Sequence, residues 1–383
     1  MEKLKPVKIA VMSFENGHCY WLYKGLQEQP MVEVVAVSFS PKTGVRMMNK
    51  MGEEAFSGVD KYYDDEEMLN AHPEIEACVC GGTNAEHIKE FRLCAERGIH
   101  IISMKVPTMD MEEYDEMLAL QKKHNICVHI ELEMRWKASI ERMIEVMESG
   151  QIGELQSVIA YNYSHNPLLM NPWTDIPEQS YGKRVRIRPG SKNFRGGALT
   201  DHPHVFDLIR YMVKSEFDTV YAEAAPNMRD YAVTEDMVYI IAKMKNGVIV
   251  SIDPSYCNRE NPNALSNNAT KYSTYPEGVM VGMQMNGSKG SILADNYQAD
   301  YCERMLPADK DNRGDWYMVN GGGFAIDNQR PLFIGNFVRN IRLGDAYAPV
   351  LSLAEHKKTI QVMNAAYESI YTGKTVKVKY DEE

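Results

Sequence analysis

The sequence lacks features that would place the protein in a membrane, in an oxidising compartment or on nucleic acid. It has no apolar run long enough to span a bilayer, and residues 1–5 show no signal-peptide pattern. Its seven cysteines include no Cys-x-x-Cys pair, and Cys78 and Cys80 alternate as buried strand residues do. The net charge of −11 is opposite to that of a phosphate-binding surface. We therefore expect a soluble, cytoplasmic protein that binds neither membranes nor nucleic acid.

Strand and helix patterns alternate in the first part of the 383 residues. Apolar periodicity predicts strands at 7–12, 32–39, 75–80, 99–104 and 126–130, and helices at 19–26, 85–97 and 111–124. This alternation predicts an α/β fold with a doubly wound parallel sheet of the Rossmann type. Such sheets bind their ligands beyond the carboxyl ends of the strands.

The dinucleotide fingerprint expected in such a sheet is incomplete. A Gly-x-Gly-x-x-Gly turn should follow the first strand, but the chain reads Ser13-Phe14-Glu15-Asn16-Gly17-His18. The acidic residue expected at the end of the second strand is also missing from Ser38-Phe39-Ser40-Pro41-Lys42. Either the serines accept the ribose hydroxyls, or Lys42 and Arg46 receive the extra phosphate of NADP.

Two histidines and two aspartates crowd a predicted helix start, at Asp201, His202, His204 and Asp207. Pro203 suits the first helical turn, and His204 and Asp207 share one face of the helix. Because the positive end of the helix dipole disfavours an imidazolium, His204 should stay neutral, as a general base requires. Asp207 would then fix the tautomer of the His204 imidazole. Two other interpretations remain open, namely ordinary helix capping and a zinc or manganese site.

Several segments resemble the glucose-fructose oxidoreductase/inositol dehydrogenase/MocA family of nicotinamide-dependent dehydrogenases. Met104-Lys105-Val106-Pro107 resembles the family's Glu-Lys-Pro signature, although its glutamate is replaced and a residue is inserted. His204 and Asp207 fall on the Gly-x-His-x-x-Asp motif, with His202 in the glycine position. Other segments that resemble the family are Thr83-Asn84-Ala85-Glu86-His87, Ser149-Gly150-Gln151-Ile152-Gly153-Glu154, Glu235-Asp236, Asn246-Gly247, Gly287-Ser288-Lys289-Gly290-Ser291 and Ala365-Ala366-Tyr367-Glu368-Ser369.

The resemblance implies two domains and a homo-oligomer. Residues 1–130 would form the dinucleotide-binding Rossmann domain, and residues 131–383 a substrate-binding and oligomerisation α+β domain. The second domain would carry a large, open, mainly antiparallel sheet. Strand patterns at 156–163, 219–224, 237–244, 248–255, 279–285 and 291–294 agree with this, and 258–275 is predicted as a long loop.

The resemblance and the residue chemistry together predict hydride transfer between a secondary alcohol and NAD(H), with NADP(H) as the alternative. The substrate would be a sugar, a glycoside or a cyclitol, and the Asp-His-Pro-His sequence resembles that of glycoside 3-dehydrogenases. Alternatives are a metal-assisted lyase or epimerase with recycled NAD, and a non-catalytic dinucleotide sensor.

Each candidate residue has an expected role, and no metal ligand is assigned. Expected catalytic residues are His204 as general base, Asp207 as its orienting partner and Lys105 as a donor to the alkoxide. Expected cofactor contacts are Ser13, Phe14, Asn16, Gly17, His18, Ser38, Ser40, Lys42, Thr83, Asn84, His87 and Lys105. Expected substrate contacts are Arg135, Trp136, His165, Arg195, Asp201 and His202.

Overall fold

The computed structural model describes residues 5–14, 17–39, 51–163, 197–226, 235–256, 280–295, 302–305, 317–320, 329–344 and 351–381. These residues divide into two compact units. The first unit holds the described residues up to Glu133 and those from 329 to Lys357, and the second holds the rest. The domain boundary at residue 130 stays a prediction. Five predicted site residues lie outside the described ranges: Asn16, Ser40, Lys42, His165 and Arg195.

Strands and helices alternate along most of the first unit. Its strands are β1 (Val7–Met12), β2 (Val32–Ser38), β3 (Asp60–Tyr62), β4 (Ala77–Cys80), β5 (His100–Ser103) and β6 (Val128–Ile130). Its helices up to this point are α1 (Gly17–Glu28), α2 (Asp65–Ala71), α3 (His87–Glu96) and α4 (Met111–His124). β3 and α2 are absent from the sequence-based assignment, because three and seven residues are too few to show a clear period.

The strands of the first unit form one parallel sheet in the order β3-β2-β1-β4-β5-β6. This confirms the predicted doubly wound α/β class. The strand order reverses between β1 and β4, so the carboxyl ends of these two strands flank the topological switch point where such sheets bind ligands. β4 is buried on both faces, as expected of a parallel strand covered by helices.

The second unit is built on a large sheet. Its helices up to the sheet's end are α5 (Ala138–Glu148), α6 (Ala198–Asp201) and α7 (Pro203–Val213). Its strands are β7 (Leu155–Tyr163), β8 (Phe217–Ala224), β9 (Val238–Met244), β10 (Ile249–Asp253), β11 (Met280–Gly287), β12 (Ser291–Asp295), β13 (Cys302–Met305), β14 (Tyr317–Asn320) and β15 (Val376–Lys377). The described strands are ordered β14-β13-β12-β11-β7-β10-β9-β8-β15, and all neighbours are antiparallel except β7 and β10. This confirms the predicted mainly antiparallel sheet.

One face of the second sheet is buried and the other is open. Residues alternate between buried and accessible along β9 and β10, with α5 and α7 packed against strands of the same sheet. The open face carries large apolar side chains, namely Ile159, Tyr221, Tyr239, Ile241 and Ile249. These five residues are called the open-face patch below.

Two later helices complete the described chain. α8 (Gln329–Leu343) lies in the first unit, and α9 (Leu353–Thr372) begins in the first unit and ends in the second. In the first unit, the buried hydroxyl of Tyr114 donates to the carbonyl of Leu353 over 3.1 Å. Within the described ranges, no helix is both long enough and apolar enough to cross a membrane.

Candidate functional site

A buried carboxylate organises the turn that follows β1. Asp65 accepts hydrogen bonds from the Ser13 amide over 3.0 Å, from the Ser13 hydroxyl over 2.8 Å, and from the Ser38 hydroxyl. The Ser13 amide also donates to Ser38 Oγ over 2.9 Å. Ser13 has a φ of +43°, in the left-handed region where glycine is usual. The three residues therefore hold in place a turn that lacks the expected glycine, and we call them the Ser13–Ser38–Asp65 triad.

An aromatic cluster fills the space behind this turn. Phe14 packs against Tyr23, Phe39 and Phe56, with ring centroids 5.5 to 5.7 Å apart. The Phe14 ring is fully buried, and its amide donates to the carbonyl of Ser38 over 2.8 Å. Side chain and amide of Phe14 are thus both used by the fold, and a cofactor contact by Phe14 stays a prediction.

The carboxyl end of β4 brings backbone close to the switch point. A Cβ on Gly81 would lie 2.5 Å from Cys19 Sγ, so only glycine allows α1 to approach this closely. A Cβ on Gly82 would similarly lie 2.5 Å from Glu90 Oε1. Next to these glycines, Asn84 Oδ1 is buried without a hydrogen-bond partner. A buried acceptor of this kind suits a ligand hydroxyl.

The loop after β5 carries Lys105, which is buried. His87 supports this loop, because its Nδ1 lies 3.1 Å from the carbonyl oxygen of Val106 and 3.0 Å from that of Pro107. Carbonyl oxygens only accept, so His87 Nδ1 carries the proton. Burial lowers the pKa of His87, which keeps the ring neutral. His87 is therefore a residue that positions the Lys105 loop.

Two further predicted cofactor residues have partners inside the first unit. His18, in the first turn of α1, has its Nδ1 3.1 Å from both carboxylate oxygens of Glu131, just after β6. Thr83 has its amide and hydroxyl within 3.0 and 2.9 Å of Glu86 Oε2. Both contacts fix loops at the carboxyl edge of the parallel sheet.

In the second unit, His202 is held at the junction of α6 and α7. Its Nδ1 donates to the carbonyl of Pro254 over 2.8 Å, and its ring packs edge-on against Tyr256, with centroids 5.4 Å apart. Its other nitrogen, Nε2, lies 3.9 Å from Asp201 Oδ2. The structure thus brings the two predicted substrate residues Asp201 and His202 together.

α7 presents His204 in its first turn, after Pro203 at the first helical position. His204 and Asp207 are both buried. Asp207 forms a two-pronged ion pair with Arg135, whose Nε and Nη2 donate over 2.7 and 2.6 Å. The Arg135 guanidinium also lies 4.6 Å from the centre of the Tyr211 ring. Sequence reasoning paired Asp207 with His204, whereas the structure directs both of its oxygens to Arg135.

A buried network lies behind the helix start. Glu235 Oε1 accepts from the Tyr367 hydroxyl over 2.6 Å and from the Leu199 amide over 3.1 Å. The Tyr367 and Thr200 hydroxyls are 2.9 Å apart. Burial raises the pKa of Glu235 from 4.5 to about 7. This network ties α6 to β9 and α9 at the point where the histidines begin.

The described residues show no group of three or more His, Cys, Asp and Glu side chains that could hold a metal ion. Within the Asp201–Asp207 cluster, both oxygens of Asp207 are engaged by Arg135. The metal-assisted alternative therefore gains no support from this cluster.

Comparison with known proteins relates part of this chain to a known family. Residues 140–293 match the GFO/IDH/MocA C-terminal domain. This match spans about two fifths of the chain and identifies that region as similar to the C-terminal domain of the GFO/IDH/MocA family. The matched region includes the helix start with His202 and His204, the Arg135 partner Asp207 and the network residue Glu235. The family resemblance expected from the sequence is thereby confirmed.

Relatives and structural neighbours of this chain include dehydrogenases and oxidoreductases. Myo-inositol 2-dehydrogenase of Thermotoga maritima is 23% identical over 330 residues, covering 84% of this chain and 85% of that protein. An oxidoreductase from Agrobacterium radiobacter, solved with NAD+, L-tartaric acid and magnesium, has a TM-score of 0.73 at 16% identity and covers 98% of this chain and 99% of its own. The WlbA dehydrogenase from Bordetella pertussis, solved with NADH and UDP-GlcNAcA, has a TM-score of 0.69 at 17% identity, with 98% and 100% covered. The two solved structures share the fold of this chain over nearly its whole length.

The carboxyl edge of the first unit's sheet has features that fit a dinucleotide. The unpartnered oxygen of Asn84, the close backbone approach at Gly81 and Gly82, and the left-handed turn at Ser13 all lie at the carboxyl edge of the sheet. Asn84 and Lys105 are the side chains there that would hold the dinucleotide. The cofactor contacts expected at the described residues stay predictions, namely those at Ser13, Gly17, His18, Ser38, Thr83, Asn84, His87 and Lys105.

Sequence reasoning missed several residues that support the candidate site. Glu235 and Tyr367 lie in segments that resemble the family, but their pairing joins positions 132 residues apart. Asp65 lies in α2, which the sequence pattern did not reveal. Tyr256 follows a predicted strand and gave no signal of its contact with His202. These residues act through contacts between distant parts of the chain, which spacing along the sequence cannot show.

We expect Glu235→Gln to stabilise the protein increasingly as the pH rises. The folded-state pKa of Glu235 is raised from 4.5 to about 7, so ionisation in the folded state costs stability between these values. Glutamine keeps the acceptor for Tyr367 and Leu199 but does not ionise. The variant should match the parent near pH 4.5 and gain up to about 3 kcal/mol in unfolding free energy at pH 8.

Urea denaturation at a series of pH values measures this difference. Glu368→Gln is the matched control, since Glu368 is exposed on α9 next to Tyr367. Its difference from the parent should not grow with pH. An equal pH trend in both variants would contradict the buried, proton-binding role of Glu235.

Proposed function

We propose that this chain is an NAD(P)-dependent dehydrogenase that interconverts a secondary alcohol of a sugar, a glycoside or a cyclitol with the corresponding ketone. The observation that carries the proposal is the buried helix start with His202, His204 and Asp207, in a region that matches the GFO/IDH/MocA C-terminal domain. The relative named myo-inositol 2-dehydrogenase supports a cyclitol or sugar substrate. Oxidation of the C3 hydroxyl of a glucoside is the finer proposal, and the Asp-His-Pro-His sequence supports it.

The chemistry assigns separate tasks to His204 and Lys105. A bound nicotinamide supplies the ring carbon that accepts the hydride from the alcohol. Loss of the hydride requires loss of the hydroxyl proton, which passes to the imidazole of His204. Lys105 donates a hydrogen bond to the oxygen as it gains negative charge.

The neighbours of His204 position the substrate. Asp207 is a positioning residue, because its two oxygens hold the guanidinium of Arg135. Asp201 and His202 bind substrate hydroxyls, and Trp136 offers an aromatic face for a sugar ring. Removing one partner of the Arg135–Asp207 pair leaves a buried charge uncompensated, so Asp207→Asn should lower stability as well as activity.

We expect His204→Ala to abolish most turnover while leaving cofactor binding intact. Loss of a general base lowers kcat by roughly 10²- to 10⁴-fold. The assay follows reduction of NAD+ with a panel of free sugars, methyl glucosides and inositols, and calorimetry measures binding of NADH. Added imidazole should restore part of the activity, because it replaces the missing base.

Lys214→Gly is the matched control for the His204 variant. Lys214 caps the far end of the same helix with a φ of +52°, a conformation that glycine adopts without strain. Its activity should equal that of the parent. Normal turnover of every active substrate by His204→Ala would overturn the proposed mechanism.

We further propose that copies of this chain associate through the open-face patch. Large apolar side chains that share one exposed sheet face are typical of an interaction surface. Ile241 is 61% exposed within this patch. A charge at this position would have to be desolvated on association.

We expect Ile241→Lys to shift the protein from an oligomer towards the monomer, with the subunit affinity reduced at least about tenfold. Light scattering over a range of concentrations measures the change. Tyr371→Lys is the control, because Tyr371 is an exposed aromatic residue on α9 instead of on the open face. A monomeric parent protein at every concentration would contradict the proposed assembly.

A further inference from the structure

Asp65 lies where a dinucleotide-binding sheet distinguishes its two cofactors. In doubly wound sheets, an acidic residue at the end of the second strand accepts the ribose hydroxyls of NAD, whereas a nearby arginine accommodates the extra phosphate of NADP. Here β2 ends at Ser38, and no acidic residue follows it directly. Asp65 reaches the same place from α2, because its carboxylate accepts a hydrogen bond from the Ser38 hydroxyl.

The Ser13–Ser38–Asp65 triad fixes this carboxylate at the carboxyl ends of β1 and β2. Asp65 is only 9% exposed, and its two oxygens share three hydrogen-bond donors from Ser13 and Ser38. These three hydrogen bonds engage both carboxylate oxygens of Asp65. The carboxylate is therefore held in a fixed position beside the turn.

A second negative charge close to Asp65 is electrostatically unfavourable. Glu90, on α3, is buried beside the same turn and accepts the Gly82 amide over 3.1 Å. Burial, followed by the charge of Asp65, raises the pKa of Glu90 well above its ordinary value. A phosphate brought to this end of the site would meet the same repulsion in a poorly solvated place.

We propose that Asp65 is the specificity-determining residue that selects NAD(H) over NADP(H). The proposal rests on the proposed function, since it concerns the adenosine end of the same dinucleotide site. Asp65 acts through charge and through the serines that it holds. The ribose 2′-hydroxyl is tolerated beside the triad, whereas a 2′-phosphate is repelled.

Asp65→Asn removes the charge and keeps the shape of the triad. Asparagine Oδ1 still accepts from the Ser13 amide and the Ser38 hydroxyl. Its Nδ2 then donates to Ser13 Oγ, because a hydroxyl can act as either donor or acceptor. Asp64→Asn is the matched control, since it removes the same charge one residue earlier, where Asp64 caps α2 through the Glu67 amide. Asparagine is also a good N-cap residue.

Fluorescence titration with NADH and with NADPH gives the test. The parent protein should bind NADH at least about tenfold more tightly than NADPH, and Asp65→Asn should reduce that ratio by about tenfold. Asp64→Asn should leave the ratio at the parent value. A general loss of structure would weaken both ligands together, so the ratio reports selectivity itself.

Each outcome of the titration has a distinct meaning. A parent protein that binds NADPH as tightly as NADH would overturn the inference, and so would an unchanged ratio in Asp65→Asn. If the parent bound neither dinucleotide, the proposed function itself would fail. If circular dichroism shows that Asp65→Asn is unfolded, Asp65→Ser replaces it, because serine removes the same charge and is suited to a helix start. The ratio of NADH to NADPH affinity in the parent protein tests the inference in either case.

Discussion

The hydrogen bonds that Asp65 accepts are the constraint on which the first unit depends. A left-handed conformation at a residue other than glycine costs about 1–2 kcal/mol, and Ser13 adopts it immediately after β1. A hydrogen bond to a charged group contributes about 1.5–3 kcal/mol, so the three that Asp65 accepts more than offset this cost. The turn can therefore exist without the expected glycine. The direction of the chain after this turn places the Phe14 ring in the aromatic cluster that includes Phe39.

The second unit solves a similar problem with a buried ion pair. Asp207 and Arg135 are almost fully withdrawn from solvent, and removing two charges from water is costly unless they pair closely. The two-pronged geometry meets that requirement and fixes α7 from one side. Glu235 fixes the preceding residues from another side through Tyr367 and the Leu199 amide. His202 and His204 thus begin a helix that has little freedom to shift.

The sequence predicts long elements better than short ones. α4 matches its predicted bounds of 111–124, because Asp110 caps its start and Asn125 ends it in a left-handed conformation. β3 and α2 are too short for periodicity to reveal. Because α2 was not predicted, Asp65 was not considered as a candidate residue. The sequence therefore showed only that the second strand lacks the acidic residue of the dinucleotide fingerprint. The Arg135–Asp207 and Glu235–Tyr367 pairs were hidden for a different reason, since each joins residues far apart in the chain.

The most direct test of the central claim is to identify any nucleotide that the purified protein carries or binds. We expect denaturation to release NAD(H), or calorimetry to detect binding of NADH to the emptied protein. If the reduced form is retained, its near-ultraviolet band should disappear when a keto sugar is added, because the hydride returns to the substrate. A protein that releases no nucleotide and binds neither NADH nor NADPH would contradict the assignment as a dehydrogenase.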